Sequence, residues 1–334
     1  MRITVIGTGY LGAVHAACMA EIGHEVLGVD AEPDKIAALA QGRAPFFEPG
    51  LPELLARVTA SGRLRFTTSL VEAADFGEIH FVCVGTPQRP GSDAADLRHV
   101  EAVIDGLAPH LYRDCLVVGK STVPVGTAAR LGARLAELAP AGTAAELAWN
   151  PEFLREGFAV DIRAFLARAG ELGVGEALAF LRDIDEINMR CRRRVVDLAR
   201  DMVGGSFLSC NVAVLGAAFK PDSDDVRDSP ALKVAAAIQL EGAQVRVHDP
   251  EALDNARAVF PTLDYSREPG KACEHADVVL HLTEWNDYSE LDPVALAEIV
   301  RHARLIDGRN TLDARRWRDA GWTIRALGRT PLAV

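Results

Sequence analysis

The apolar positions of this chain fall into short continuous runs that alternate with segments of helical period. Ile3 to Ile6 is a β-branched run, Ala13 to Ile22 an apolar helix, and Glu25 to Val29 a second strand. Unbroken apolar runs bounded by turn residues and separated by helices predict parallel strands buried on both faces. Leu64 to Thr67, Ile79 to Val84, Cys115 to Gly119 and Leu147 to Trp149 continue the series, with helices predicted over 32–41, 52–60 and 96–107. Ser69 is placed to cap a short helix between two of these strands. Phe46 and Phe47, in a proline-rich loop, are expected to pack down on the domain.

From Ile162 to Met202 the period becomes helical. Ala177, Leu181, Ile184, Ile187, Cys191, Val195 and Leu198 form a stripe at three- and four-residue steps. Glycines at 170, 173 and 175 divide this stretch into a short helix and a long one, and Arg190, Arg192, Arg193 and Arg194 read as a solvated helical face. At Asn211 the chain restarts: Asn211 to Gly216 echoes Ile3 to Gly7, Gln244 to Asp249 echoes Glu25 to Asp30, and Ala276 to Leu280 echoes the strand before Gly85. The pattern predicts an α/β protein made of two Rossmann-like, doubly wound parallel-sheet domains joined by a long helix. The expected boundaries are 1–157, 158–207 and 208–334, and a length of 334 residues suits two cores.

Local chemistry then sharpens the first half. Gly7-Thr8-Gly9-Tyr10-Leu11-Gly12 joins the first strand to the first helix as a Gly-x-Gly-x-x-Gly turn. Gly7 serves the tight turn, Gly9 lets backbone approach a pyrophosphate, and Gly12 allows close helix-to-strand packing. The helix N-terminus adds unpaired N–H groups and the positive end of its dipole. Asp30, at the end of the second strand, is placed for ribose hydroxyls and would repel a 2′-phosphate, so the cofactor expected is NAD rather than NADP. A tight turn without a ligand is the plain alternative, and strand, helix and acid in register weigh against it.

Lys35 is expected on the adenosine side of that cofactor. Thr86, after the strand that ends near Val84, and Thr122, in Lys120-Ser121-Thr122, put hydroxyls at carboxyl strand ends, where open parallel sheets hold ligands. Glu152 and Glu156 would share a face if their turn is helical, a spacing suited to general base work or to ordering a water. In the second half the glycine turn becomes Gly216-Ala217-Ala218-Phe219-Lys220-Pro221, so a second dinucleotide is not expected and Lys220 supplies a point charge instead. Arg227 lies in a polar loop before the next helix, and Arg309 follows a later strand end.

Composition removes other classes. A net charge of −11 argues against nucleic acid or an anionic membrane as partner. No apolar run reaches the ~18 residues of a membrane span. The six cysteines, at 18, 83, 115, 191, 210 and 273, show no CxxC or His/Cys cluster, so neither a disulfide framework nor a metal site is expected, and several read as small buried hydrophobes. The chain enters a strand at Arg2 with no signal-peptide pattern, and a cytoplasmic protein is expected.

These motifs together resemble the UDP-glucose/GDP-mannose dehydrogenase family. The glycine turn, Phe47-Glu48-Pro49-Gly50-Leu51, Val84-Gly85-Thr86-Pro87, Lys120 to Pro124, Asn150-Pro151-Glu152-Phe153-Leu154-Arg155-Glu156-Gly157, Phe219-Lys220-Pro221 with Asp225 to Pro230, and Asp307-Gly308-Arg309 stand in the family's order. The Glu-Pro-Gly-Leu loop is more similar to the UDP-glucose branch. The resemblance implies NAD-dependent oxidation of a sugar C6 alcohol to a carboxylate, with UDP-glucose or a related nucleotide sugar as substrate. It carries Gly7, Gly9, Tyr10, Leu11, Gly12, Asp30, Lys35, Thr86, Thr122, Glu156 and Arg227 onto cofactor positions. Glu152, Phe153, Leu154, Phe219, Lys220 and Arg309 fall on nucleotide-sugar contacts, with Glu152 and Thr122 on catalytic positions.

One departure is large. The family carries, after the Glu-Gly turn, a helical central segment with an active-site lysine and asparagine, then a Gly-Gly-x-Cys-x-x-Lys-Asp motif whose cysteine is the nucleophile. Here Phe158-Ala159-Val160 runs directly into Asp161-Ile162-Arg163, and 161–210 contains no lysine. The resemblance assigns that cysteine to holding an aldehyde as a thiohemiacetal for the second hydride transfer. Cys210, in Gly204-Gly205-Ser206-Phe207-Leu208-Ser209-Cys210, imitates the motif but leads straight into a strand and lacks the Lys-Asp. The expectation is therefore a UDP-glucose-type dehydrogenase with impaired turnover, or a non-catalytic NAD and nucleotide-sugar-binding remnant. The family's homodimer, built largely on the missing central helices, is expected to be weakened.

Overall fold

A computed structural model describes residues 1–92, 94–151, 163, 166, 167, 169–171 and 179–328. The candidates Glu152, Phe153, Leu154 and Glu156 lie outside the described residues. The chain divides into two compact units, Met1–Arg182 and Asp183–Val334.

In the first unit the strands are β1 (Arg2–Ile6), β2 (Glu25–Val29), β3 (Leu64–Thr67), β4 (Ile79–Val82), β5 (Cys115–Gly119) and β6 (Ala145–Trp149). Its main helices are α1 (Tyr10–Glu21), α2 (Pro33–Ala40), α3 (Leu51–Ala60), α4 (Leu70–Phe76), α5 (Arg98–Leu107) and α6 (Thr127–Leu138). The sheet runs β3-β2-β1-β4-β5-β6 with every pairing parallel. Its two faces carry separate cores. Ile3 and Val5 pack with Ala13, Ala16 and Leu55 from α1 and α3, while Ile6 and Val82 pack with Ala73, Ile104 and Leu131 from α4, α5 and α6. Two-sided burial is why β1 shows no alternation, and each buried aliphatic side chain contributes about 1.5–3 kcal/mol.

The second unit repeats the plan. The long helix α7 (Ala179–Met202) leads to β7 (Asn211–Leu215), α8 (Pro230–Leu240), β8 (Gln244–His248), α9 (Leu253–Val259) and β9 (Asp264–Ser266). Then follow α10 (Pro269–Cys273), β10 (Val278–His281), α11 (Asn286–Glu290), α12 (Pro293–Ile299), β11 (Arg304–Asp307), α13 (Ala314–Asp319) and β12 (Thr323–Ala326). The sheet order is β12-β11-β10-β7-β8-β9, again all parallel. Counted from its own first strand this is the order of the first sheet, so the restart at Asn211 is a structural repeat. In both sheets the order reverses beside the first strand, and this is where the carboxyl ends open a crevice.

Several local expectations hold and several shift. The Ser69 hydroxyl accepts the Glu72 N–H at 3.1 Å and caps α4. Phe46 packs on the core and lies 4.6 Å from the Tyr10 ring, centroid to centroid. Helix α5 begins at Arg98 rather than Asp96, because the Asp96 carboxylate turns to accept the Arg98 N–H and guanidinium. Arg192 departs from the solvated face: its guanidinium is paired with Asp228 at 3.2 Å, with both side chains largely buried, whereas Arg190, Arg193 and Arg194 are exposed. Among the described residues of the α7 stripe, Val195 and Leu198 are buried while Ile187 and Cys191 are exposed. Of the cysteines, Cys115 and Cys273 are buried, whereas Cys18 and Cys191 are exposed.

Candidate functional site

The glycine turn is built as its spacing predicts. Gly7 has φ +93°, and a Cβ there would lie 2.7 Å from the Val84 nitrogen. A Cβ on Gly12 would lie 1.8 Å from the Gly7 carbonyl oxygen, so only hydrogen fits where α1 crosses the turn. Gly9 is different: an added Cβ would meet nothing within 4 Å. That open space stands at the N-terminus of α1, whose first intrahelical bond runs from the Ala13 N–H to the Gly9 carbonyl at 2.9 Å. The N–H groups of Tyr10, Leu11 and Gly12 therefore precede the helical ladder, in the arrangement that holds a pyrophosphate.

Asp30 closes the other side. Its Oδ2 accepts the Thr8 N–H and hydroxyl, both at 2.9 Å, and its Oδ1 accepts the Glu32 N–H at 3.2 Å. Lys35 reaches the same carboxylate at 3.2 Å and also pairs with Glu32 at 3.0 Å. Burial pushes the Asp30 carboxyl up, but the Thr8 and Glu32 N–H groups and the Lys35 charge outweigh it and the net shift is downward. Asp30 is thus an ionised acceptor held in fixed orientation. The residues present fit NAD: open space over Gly9, N–H groups at a helix start, and a clamped carboxylate at the end of β2.

Thr86 and Thr122 are brought together at neighbouring strand ends. The Thr86 hydroxyl donates to the Thr122 carbonyl at 2.8 Å, and the Ser121 hydroxyl donates to the Val84 carbonyl at 2.6 Å. These bonds stitch the loops after β4 and β5 to each other.

The second unit keeps the frame of the turn and alters its chemistry. Gly216 has φ +111°, and a Cβ there would strike Thr283, as one on Gly7 would strike Val84. Asp249 stands one residue past β8 as Asp30 stands one past β2, yet it is 1% exposed and its Oδ2 accepts both the Ala217 N–H at 2.6 Å and the Ala218 N–H at 2.9 Å. The Trp285 indole N–H donates to the same oxygen at 3.1 Å, and Oδ1 takes the Glu251 and Ala252 N–H groups. The bond from Ala217 repeats the one from Thr8 to Asp30, and the further donors from Ala218 and Trp285 tie this second carboxylate into the interior. The next helix, α8, starts only at Pro230, so a loop intervenes between turn and helix, and the α8 N-cap Ser229 donates its hydroxyl back to the Ala217 carbonyl at 2.6 Å.

The intervening loop carries candidate groups. Lys220 lies 5.9 Å from the Phe219 ring centroid, and the Phe219 N–H is held by the Asp225 carbonyl at 3.0 Å. Arg227 forks onto the buried Asp225 carboxylate and is itself well exposed. Arg309, after β11, has its N–H accepted by Asp307 at 3.0 Å, and its guanidinium grips Glu284 at 2.5 and 2.8 Å. Burial pushes the Asp307 carboxyl up, but His281 and the Leu312 and Arg309 N–H groups bring it below its usual range. Asp249, Glu284 and Asp307 were not singled out as site residues from sequence. The signals available were the echo of Asp30 by Asp249 and the place of Asp307 in the Asp307-Gly308-Arg309 motif.

No described cysteine has the environment of an activated nucleophile by titration where a shift is resolved. The thiols of Cys115, Cys210 and Cys273 are all pushed up, first by burial, that of Cys273 to about 12. Nucleophilic thiols need the opposite shift. Among the described residues no cluster of His, Cys, Asp or Glu is arranged to hold a metal ion, and no helix is long and apolar enough to cross a membrane.

Comparison with known proteins bears on both units. Residues 1–168 match the NAD binding domain of the UDP-glucose/GDP-mannose dehydrogenase family, and residues 213–314 match its UDP binding domain. The chain is 32% identical to a UDP-glucose 6-dehydrogenase of Rhizobium meliloti, across 98% of this chain and all of that one. It is 30% identical to a UDP-glucose 6-dehydrogenase of Bacillus subtilis, covering 94% of each. A UDP-glucose dehydrogenase structure from Pyrobaculum islandicum superposes with a TM-score of 0.82 at 28% identity, covering 97% of this chain and 98% of that one. The alignment with the Rhizobium protein spans 436 positions against 334 residues here, and the shortfall is in the central region.

Proposed function

The chain belongs to the UDP-glucose/GDP-mannose dehydrogenase family and uses NAD, and from that premise we propose that it is a UDP-glucose 6-dehydrogenase by descent whose four-electron oxidation is impaired. The observation that carries the reading is the pairing of a dinucleotide cradle in one unit, open over Gly9, with a turn in the other where Ala218 stands in that place, which supports one dinucleotide and one different nucleotide ligand per chain.

In this reading the N–H groups at the start of α1 bind the pyrophosphate and Asp30 takes the ribose hydroxyls, with Lys35 holding the carboxylate in place. NAD, when bound, accepts hydride from the sugar C6. Thr86 and Thr122 line the strand ends beside it, and Glu156 and Arg227 complete the cofactor contacts. Glu152 accepts the proton of the C6 hydroxyl or orders a water, while Phe153, Leu154, Phe219, Lys220 and Arg309 hold the nucleotide sugar. Completing the second oxidation requires an aldehyde held covalently by a thiolate. The chain has no counterpart of the family's Gly-Gly-x-Cys-x-x-Lys-Asp segment, and the Cys210 thiol, which imitates it, is shifted away from ionisation.

Incubating the purified chain with UDP-glucose and NAD tests this. The expected outcome is fewer than two NADH per sugar and no UDP-glucuronate. Two NADH per sugar with UDP-glucuronate as product would overturn the impairment. The shorter central region also favours a second reading, a non-catalytic NAD and nucleotide-sugar-binding remnant, which any measurable NADH formation excludes. Failure to bind NAD at millimolar concentration counts against both readings.

A further inference from the structure

We propose that Glu284 is a positioning residue of the nucleotide-sugar site, acting by holding the guanidinium of Arg309 in one orientation; this rests on the reading that Arg309 contacts the sugar nucleotide. Glu284 stands at the carboxyl end of β10 between two buried neighbours, Thr283 at 1% and Trp285 at 5% exposure. Both neighbours are anchored to the turn that bears Phe219 and Lys220. The Thr283 hydroxyl donates to the Ala218 carbonyl at 2.7 Å, and the Trp285 indole N–H donates to Asp249, which itself holds the Ala217 and Ala218 N–H groups. Glu284 is therefore a partly exposed carboxylate on a rigid support at the edge of the site.

Its partner comes from a different strand end. Asp307 secures the backbone after β11 by accepting the Arg309 and Asn310 N–H groups at 3.0 and 2.8 Å. That leaves the long Arg309 side chain to be fixed by something else. Glu284 does this with both oxygens, accepting from Nε at 2.5 Å and Nη2 at 2.8 Å. The fork-to-fork contact uses one edge of the guanidinium and leaves the Nη1 edge to a ligand. A guanidinium held in this way binds an anion without first losing its rotamer freedom. The carboxylate also offsets part of the positive charge, and the two effects oppose each other. A bidentate contact between supported partners favours orientation as the larger effect.

Calorimetry of the full chain with UDP separates them. Glu284→Ala is expected to weaken UDP binding roughly tenfold, the cost of an unrestrained long side chain. Glu284→Gln, which keeps one acceptor oxygen, is expected to recover part of that loss, and NAD affinity is expected to stay unchanged in both variants. In an Arg309→Ala background, Glu284→Ala is expected to have no further effect. UDP binding as tight as, or tighter than, that of the parent chain in Glu284→Ala would overturn the proposal by showing a competing anion. An equal loss with Arg309 already removed, or a parallel loss of NAD affinity, would overturn it as general destabilisation. Unchanged UDP binding in Arg309→Ala alone, or none by the parent chain, would overturn the underlying reading and this inference with it.

Discussion

Asp249 accepts the Ala217 N–H at 2.6 Å in the turn after β7, as Asp30 accepts the Thr8 N–H at 2.9 Å in the turn after β1. Four further donors, the N–H groups of Ala218, Glu251 and Ala252 and the Trp285 indole, converge on the same buried carboxylate. Asp249→Ala would leave these donors buried without a partner. Unsatisfied buried groups cost about 1–3 kcal/mol each, and partial relaxation brings the expected loss to roughly 2–4 kcal/mol. Three of the four tryptophans, Trp285, Trp317 and Trp322, lie in the second unit. A urea titration followed by tryptophan fluorescence should therefore show the drop in midpoint directly.

The second and third glycines of the first turn should respond oppositely to the same methyl group. Gly12→Ala places a carbon 1.8 Å from the Gly7 carbonyl and forces α1 away from β1, with an expected loss above about 3 kcal/mol in the first unit. Gly9→Ala has space and an ordinary negative φ of −73°, so stability is expected to hold within about 0.5 kcal/mol. The methyl would occupy the approach of the pyrophosphate, and NAD affinity is expected to fall at least about tenfold. Thermal unfolding and NAD calorimetry on the two variants check the contrast.

Asp30→Asn tests the cofactor preference. An amide keeps the shape but loses the charge that Lys35 and the Thr8 N–H hold in place. Hydrogen bonds to a charged acceptor contribute about 1.5–3 kcal/mol, so NAD binding is expected to weaken about tenfold or more. NADP binding should weaken less or improve, because the repulsion of a 2′-phosphate is removed. Paired titrations with the two nucleotides give the ratio.

His80 should make the first unit acid-sensitive. The ring is buried, lies 2.7 Å from the Thr4 hydroxyl, and titrates at about 4 rather than 6.5 because burial, helped by Arg113, disfavours its charged form. Below pH 6.5 the unfolded chain takes up this proton before the folded chain does, so stability falls with pH until about 4 and then levels for this group. The shift corresponds to roughly 3 kcal/mol across that window. His80→Gln is expected to flatten the slope of unfolding midpoint against pH between 6.5 and 4.5, while Asp30 and Asp307, with depressed values, lose their contributions only as pH falls below the ordinary carboxylate range near 3.8.

By itself the sequence determined the two parallel sheets, the repeat at Asn211, the cradle from Gly7 to Gly12 and the place of Asp30. Each of these is a local property. A strand covered on both faces must be apolar at every position, and a turn that meets a phosphate must omit particular Cβ atoms, so both are written in neighbouring residues. Tertiary structure alone decided what the charged groups do. With 36 basic and 47 acidic residues, spacing along the chain does not say that Arg309 meets Glu284 from another strand end, or that Arg192 leaves the solvated face of α7 for Asp228. Asp30 and Asp249 follow equivalent strands, yet one stays partly accessible beside Lys35 and the other is buried beneath Trp285. Ion pairing falls off over a few ångströms in space, and only the assembled sheet ends set those distances.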